Sequence, residues 1–293
     1  LPESALNVAE AWVAAGRPER AITCLERARQ TSSGPSALRD RLAELYRETG
    51  AYKPLAALFA GEAERATDRP TRITRLCEAA ALFAGELDEP EAAIPLLEEA
   101  AGLTPEDGEV ALSLARVLRR TARLDDARRV LRAILATYGT RRPKERALVH
   151  HELSQVALAA GDRARAMGEL DLALRIDPAH PEILADMAKL SLDEGQLDRA
   201  ARSYRALLLV DPRTRDPAAG PSRAEVLLAL AWIAEKKGEA DRTAELVESA
   251  FEAARVDSFE LKRFVETLRR AGRDDYLARA LALYIEALRA LST

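Results

Sequence analysis

The sequence has few of the residues that build disulfide frameworks, metal sites and membrane spans. Two cysteines, Cys24 and Cys77, and three histidines occur among 293 residues, so we expect neither a disulfide framework nor a cysteine–histidine zinc site. His150 and His151 are adjacent, and on a helix their side chains would point about 100° apart, which prevents them from chelating one metal together. The longest apolar run, residues 226–234, is far shorter than the roughly 20 residues that cross a bilayer.

Motifs of known catalytic chemistry are also missing from the sequence. It contains no phosphate-binding Gly-Lys-Ser/Thr loop, no Gly-x-Gly-x-x-Gly, no His-Glu-x-x-His and no Gly-x-Ser-x-Gly. Acidic pairs such as Asp125-Asp126 and Asp274-Asp275 stand where helices are predicted to begin, and capping or compensation of the helix dipole explains them. We therefore expect no enzymatic activity, no cofactor, no bound metal and no small-molecule substrate.

What the sequence does have is an internal repeat. The pattern around Ala157, Gly161, Ala166, Leu170 and Ala173 returns along the chain and divides it into eight units. Four of the seven offsets between successive units equal 34 residues, and such regularity predicts a repeat architecture. The units start near Pro2, Ser36, Thr74, Gly108, Ala147, Pro181, Ala224 and Ser258.

Each unit is predicted to form two helices joined by a turn. Apolar residues recur at helical spacing, as in Leu112, Ala115 and Leu118. Glycine separates the two helices in six units, where a helix end favours a left-handed residue: Gly16, Gly50, Gly161, Gly195, Gly238 and Gly272. A small residue fills the eighth position in seven of the eight units, so the paired helices can approach closely. One unit cannot bury both of its faces, and the units must therefore stack.

Extra residues are expected after units two, four and six, around 64–71, 139–146 and 213–223. The repeats resume at once on either side, so we predict a single array over residues 1–293. The chain starts at Leu1 without a methionine, which suggests a piece of a longer protein. No signal peptide is visible, and we expect a cytoplasmic location, with a periplasmic or envelope-associated one as the alternative.

The 34-residue period and the Gly-x4-Ala-x3-Leu/Tyr-x2-Ala pattern resemble the tetratricopeptide repeat family over essentially the whole chain. The family's Trp at the fourth position is absent from every unit. The resemblance implies an all-α fold, an α-solenoid wound as a right-handed superhelix of about eight repeats, whose first helices line a concave groove. The family's best-known binding mode clamps a C-terminal carboxylate with Lys and Asn side chains. This chain has one asparagine, Asn7, and cannot assemble that clamp.

The resemblance also implies which side chains face the groove. Mapping the family's groove positions onto this chain gives a candidate binding set of Arg116, Arg119, Arg120, His151, Gln155, Leu158, Lys189, Leu192 and Trp232. Trp232 is open to two interpretations, an anchor for a partner side chain or a core residue of an apolar helix. We otherwise expect structural or solvated roles for His150 and His151, and buried structural roles for Cys24 and Cys77.

Charge is distributed unevenly along the chain. Residues 1–107 carry a net charge of -7, residues 108–150 of +7 and residues 151–293 of -4. The central basic belt, residues 108–150, could bind an acidic peptide through arginine–carboxylate pairs. The alternative is a solvated arginine-rich face that pairs with neighbouring acidic units.

These observations favour a non-catalytic scaffold that binds a peptide or protein partner, with an acidic segment as one expected partner. An alternative is a spacer or oligomerisation module of a larger enzyme or envelope assembly, and the oligomeric state stays open. Nucleic-acid binding through the basic belt is disfavoured, because the overall pI is about 5.7 and aromatic residues are not interleaved with the cations.

Overall fold

The computed structural model describes residues 2–31, 36–139, 143–211, 220–256 and 258–290. Over these residues sixteen helices follow one another with no strand between them. The helices are α1 (Pro2–Ala14), α2 (Pro18–Thr31), α3 (Ser36–Glu48), α4 (Tyr52–Arg65), α5 (Arg69–Ala84), α6 (Pro90–Leu103), α7 (Gly108–Arg120), α8 (Leu124–Tyr138), α9 (Lys144–Ala159), α10 (Arg163–Ile176), α11 (Pro181–Asp193), α12 (Leu197–Leu209), α13 (Arg223–Lys236), α14 (Ala240–Ala254), α15 (Ser258–Arg270) and α16 (Asp274–Ala290). The predicted all-α class, an α-solenoid of helix-turn-helix repeats, is confirmed.

The chain divides into two compact units, Leu1–Arg141 and Arg142–Thr293. The first unit contains α1 to α8 and the second contains α9 to α16, so each is built from four helix pairs. Odd-numbered helices are the first helices of the repeats and even-numbered helices are the second. The single array over residues 1–293 stays a prediction.

The first helices begin close to the residues that the repeat pattern indicated. Five of them, α1, α3, α7, α11 and α15, begin at the predicted residue and are 13 residues long. In contrast, α5 and α9 begin five and three residues early and are 16 residues long. Part of the extra sequence around 64–71 and 139–146 therefore extends helices. Residues 140–142 and 213–219 of the predicted insertions lie outside the described residues.

The turns inside the repeats depend on left-handed backbone conformations. The six predicted glycines all adopt one, with φ between +66° and +77°. The third and fourth repeats lack this glycine, and there Asp88 (φ +52°) and Ala122 (φ +59°) occupy the same region. A side chain in this region costs about 1–2 kcal/mol, so these two turns keep the repeat geometry at a cost that glycine avoids.

Small and large residues alternate in the core as predicted, except at Ala81 and at Leu281, which is only half-buried. In the first helices Ala9, Ala115 and Ala188 are fully buried and allow close helix packing. Ala81, the predicted small residue of the third repeat, is exposed, and Ala79 and Ala80 are buried in its place. The repeat pattern was therefore placed one or two residues too late in this unit. The large residues of the second helices are buried in seven repeats: Leu25, Phe59, Leu97, Leu131, Leu170, Tyr204 and Val247.

Candidate functional site

The first unit holds the three arginines of the candidate set on α7. Valine and leucine residues on one side of α7 are buried, which leaves Arg116 and Arg120 exposed and Arg119 half-buried. The Arg120 guanidinium donates to Asp88 Oδ1 at 2.6 Å and also to the carbonyl oxygen of Ala84. Arg120 therefore connects α7 to the turn of the preceding repeat, the turn in which Asp88 takes its left-handed conformation.

The second helix of the same repeat pairs much of the basic belt with its own acids. Arg123 lies 2.7 Å from Asp126, and Arg128 lies 2.6 Å from Asp125. Arg129 contacts the other oxygen of Asp126 at 2.5 Å. Hydrogen bonding from Arg123, followed by the charge of Arg123 and the contact of Arg129, lowers the pKa of Asp126. Three cations of the belt, Arg123, Arg128 and Arg129, are therefore already paired with acids of the same segment.

The second unit contains a polar network that bridges the first helices α9 and α11. His151 Nε2 lies 2.7 Å from Asp186 Oδ2, and Gln155 Nε2 donates to the same oxygen at 2.6 Å. His151 and Gln155 are themselves 3.4 Å apart through their Nε2 atoms. His151 is 15% exposed and Asp186 is 36% exposed, so the network lies at the rim of the packed helices. Asp186 was not in the predicted set.

The adjacent histidines contact different helices, as their spacing predicted. His150 is 6% exposed, and its Nδ1 lies 2.8 Å from Glu169 Oε2 on α10. His151 instead contacts Asp186 on α11. The third histidine, His180, occupies the N-cap position of α11 without a side-chain capping hydrogen bond, and its ring centroid is 6.4 Å from that of His151.

His180 is placed against the packed helices rather than in solvent. Its Nδ1 is buried and has no hydrogen-bond partner within the described part of the chain. Burial is the main cause that lowers the pKa of His180, opposed in part by the charges of Glu182 and Asp177. The neutral ring is therefore favoured in the folded chain.

The apolar members of the candidate set are all half-buried. Leu158 packs against the core of the fifth repeat, and Leu192 packs against the core shared by the sixth and seventh repeats. Trp232 packs against the core that α13 shares with α14 and α15. Its indole Nε1 is buried and finds no acceptor among the described residues, so a partner could contact only the exposed part of the ring. Lys189 on α11 is exposed.

The structure thus brings together part of the candidate set. His151 and Gln155 share Asp186, and Lys189 follows Asp186 by three residues on α11, so the two lie on the same helix face. Arg116, Arg119 and Arg120 belong to the first unit and the other six residues belong to the second. Asp186 lies three residues before Lys189, and this spacing could have added it to the candidate set from the sequence alone. Its contacts with His151 and Gln155 on α9 could not be predicted from the sequence.

Two further features concern metals and membranes. In the ranges that the structure describes, no group of three or more His, Cys, Asp or Glu side chains is placed to hold a metal ion. Within those same ranges, none of the helices has both the length and the apolar character needed to span a bilayer. Cys24 and Cys77 are free and half-buried, and burial raises the pKa of the Cys77 thiol.

Comparison with known proteins connects this fold to a family. Residues 86–145 and 157–220 match the family model described as tetratricopeptide repeat. No curated protein matches the sequence. Among solved structures, PilF of Pseudomonas aeruginosa is 20% identical with a TM-score of 0.53, over 77% of this chain and 90% of that chain.

Two other solved structures are similar at the same level. A tetratricopeptide repeat protein from Parabacteroides merdae is 17% identical with a TM-score of 0.52, over 91% of this chain and 98% of that chain. PilW, a type IV pilus biogenesis factor, is 18% identical with a TM-score of 0.52, over 72% of this chain and 90% of that chain. Likeness at these identities concerns the fold. Together with the family match it shows that residues 86–145 and 157–220 contain tetratricopeptide repeats and that the chain has the fold of a tetratricopeptide repeat solenoid.

Proposed function

We propose that the chain is a non-catalytic scaffold that binds a peptide segment of a partner protein along the first helices α9, α11 and α13 of its second unit. The observation that supports the proposal most is the network in which Asp186 accepts from Gln155 and contacts His151. It holds polar side chains of two successive first helices in a fixed arrangement at a surface that is only partly buried.

The spacing of the side chains gives this face its continuity. His151, Gln155 and Leu158 on α9 are separated by four and three residues, and Asp186, Lys189 and Leu192 on α11 by three and three. Such spacings place side chains on one face of a helix. Each helix therefore presents polar groups followed by a half-buried leucine, and Trp232 adds an aromatic surface on α13. An extended peptide could place apolar side chains against the leucines and backbone groups against the polar network.

Charge suggests an acidic partner. Lys189 is an exposed cation on α11 of the second unit, and we propose that it pairs with an acidic side chain of the partner. In the first unit, α7 carries Arg116, Arg119 and Arg120, which are a separate candidate for the same chemistry. Asp88 and the carbonyl oxygen of Ala84 accept from the Arg120 guanidinium.

The experiment uses peptides selected from a random phage-displayed library on the purified chain, and it tests the two units separately. Lys189→Glu should lower the affinity of the selected acidic peptides by about tenfold or more, because like charges then face each other across the interface. Arg175→Glu is the matched control, since Arg175 is an exposed cation on the second helix α10. For the first unit, the Arg116→Glu/Arg119→Glu pair is compared with Arg132→Glu on α8.

Circular dichroism establishes that every variant keeps its helical content. A selection that returns no peptide, or peptides whose affinity is unchanged by both Lys189→Glu and Leu192→Asp, would contradict the proposed face. Peptides that depend only on Arg116 and Arg119 would move the binding site to the first unit.

A further inference from the structure

A cavity of about 250 Å³ lies between α12, α13 and α14 in the second unit. It stands at the junction of the sixth and seventh repeats, where the longest predicted insertion separates the two repeats. None of the residues of the proposed peptide face lines it. Its walls are formed by Ala201, Arg205, Leu208, Leu230, Ile233, Ala234, Lys237, Glu239, Arg242 and Leu246.

The floor of the cavity is apolar and belongs to the folded core. Leu230 and Ile233 of α13 are 5% and 2% exposed, and Ala201 of α12 is 2% exposed. Leu208 and Leu246 stand at the sides, half-buried, and each packs against the core clusters of both repeats. An aliphatic group placed here would be removed from water against hydrocarbon on several sides, which favours its binding.

The rim of the cavity carries an excess of positive charge. Three cations and one acid line it, and the acid, Glu239, lies 3.4 Å from Arg242. Lys237 donates to Asp198 on α12. Hydrogen bonding from Lys237 is the main cause that lowers the pKa of Asp198, and the charge of Arg205 contributes. Arg205 is exposed at the rim, so its guanidinium adds positive charge beyond that of the two cations already paired.

We propose that this cavity binds a short aliphatic carboxylate, with the hydrocarbon chain on the floor and the carboxylate paired with the Arg205 guanidinium. Arginine suits this role because its planar fork can donate two parallel hydrogen bonds to a carboxylate. The cavity is smaller than the roughly 300–1,000 Å³ of pockets that take drug-sized ligands. At roughly 30 Å³ for each water-sized group, it accommodates about eight non-hydrogen atoms, the number in hexanoate. The site goes beyond the proposed peptide binding and does not depend on it.

The test is a calorimetric titration of the whole chain with hexanoate, with hexan-1-ol as the uncharged comparison. We expect saturable hexanoate binding with a dissociation constant on the order of 1 mM, given the few atoms of the ligand. Hexan-1-ol should bind about tenfold more weakly, because it lacks the charge-assisted hydrogen bonds. Arg205→Gln should weaken the binding of hexanoate by about the same factor and leave the affinity for hexan-1-ol unchanged. Arg202→Gln, a neutralised exposed cation on the same helix that does not line the cavity, is the matched control.

A second variant tests the apolar side wall of the cavity. Leu246→Trp narrows the cavity at a half-buried position and should abolish saturable hexanoate binding while helical content is retained. Three results would overturn the proposal: no saturable binding at about ten times the expected dissociation constant, equal affinity for hexanoate and hexan-1-ol, or equal losses in Arg205→Gln and Arg202→Gln.

Discussion

Arg263 Nη2 lies 2.7 Å from Glu225 Oε2 and so joins α15 to the first turn of α13. The same carboxylate accepts from the backbone N–H of Ser222 at 2.8 Å and from the hydroxyl of Thr267 at 2.7 Å. Arg263 also donates to the carbonyl oxygen of Gly220 at 2.7 Å. Glu225 and Arg263 are only 14% and 20% exposed. One carboxylate therefore completes the cap of α13 and connects two successive first helices.

This arrangement predicts a large effect of removing Glu225. Glu225→Ala should lower the free energy of unfolding by about 2–3 kcal/mol, because it removes the acceptor shared by the Arg263 guanidinium, the Ser222 N–H and the Thr267 hydroxyl. Glu225→Gln should cost less, since the amide oxygen can still accept one hydrogen bond. Urea denaturation followed by circular dichroism measures both. Glu245→Ala, at an exposed position on α14, should change stability by less than about 0.5 kcal/mol, and an equal loss in the two variants would contradict the role of the network.

The turn at Ala122 predicts a stabilising substitution. Ala122 is exposed and has φ of +59°, a conformation that glycine adopts without the clash of a β-carbon. Ala122→Gly should raise the free energy of unfolding by about 0.5–1 kcal/mol, after the greater freedom of glycine in the unfolded chain is subtracted.

The matched control is Ala160→Gly, one residue before a turn glycine. Ala160 has φ of -81° and ψ of -2°, so the substitution relieves no strain and should lower stability by up to about 1 kcal/mol. Thermal or urea denaturation of the two variants gives the comparison. The same sign of change in both would show that the backbone strain at Ala122 is not the cause.

These turns show how far the sequence predicts the fold. The spacing of Gly16 and its five counterparts indicated the turns, and all six are left-handed. The pattern could not show that Asp88 and Ala122 adopt the same backbone, because alanine disfavours it and aspartate adopts it far less often than glycine. The early start of α5 was also missed, since its extra residues are compatible with either a loop or a longer helix.

The candidate site was less predictable than the fold. The candidate residues are all exposed or half-buried, as Gln155 and Lys189 show, but their role in binding stays a prediction. Their partners lie some 31 to 36 residues away, as Asp186 does for Gln155 and Asp88 for Arg120. Such contacts depend on how one repeat is positioned on the next, and a repeat pattern specifies that position only to within a few residues.

His180 predicts a loss of stability in mild acid. Its pKa is lowered in the folded chain, mainly by burial, so below its ordinary pKa of about 6.5 the unfolded chain binds the additional proton. The free energy of unfolding therefore has its full value, as far as His180 is concerned, above about pH 7.5. It declines as the pH falls through 6.5. His180→Asn removes the titrating group and keeps a residue that caps helices well. Between pH 7.5 and 5.5 the free energy of unfolding should fall less in the variant than in the parent chain. Parallel plots of unfolding free energy against pH would show that His180 does not cause the acid-dependent loss.

The aromatic pair at the last helix pair predicts a strong and local effect. The rings of Phe251 on α14 and Phe264 on α15 are 5.1 Å apart at 76°, an edge-to-face contact, and the side chains are 1% and 0% exposed. Phe264→Ala should lower the free energy of unfolding by about 3–5 kcal/mol, because apolar burial is lost and a void remains. Because repeats depend mainly on their neighbours, we expect the loss to concentrate in α15 and α16.

Hydrogen exchange resolved by peptide measures this localisation. Peptides from α15 and α16 should exchange much faster in Phe264→Ala, while peptides from α9 to α11 keep the protection of the parent chain. Phe259→Ala is the control on the same helix, since Phe259 is 55% exposed and the guanidinium of Arg263 lies 6.0 Å from its ring centroid. That contact is worth less than about 1 kcal/mol, so its removal should leave exchange in α15 nearly unchanged. Uniformly faster exchange across α9 to α16 in Phe264→Ala would instead mean that the second unit unfolds as one cooperative body.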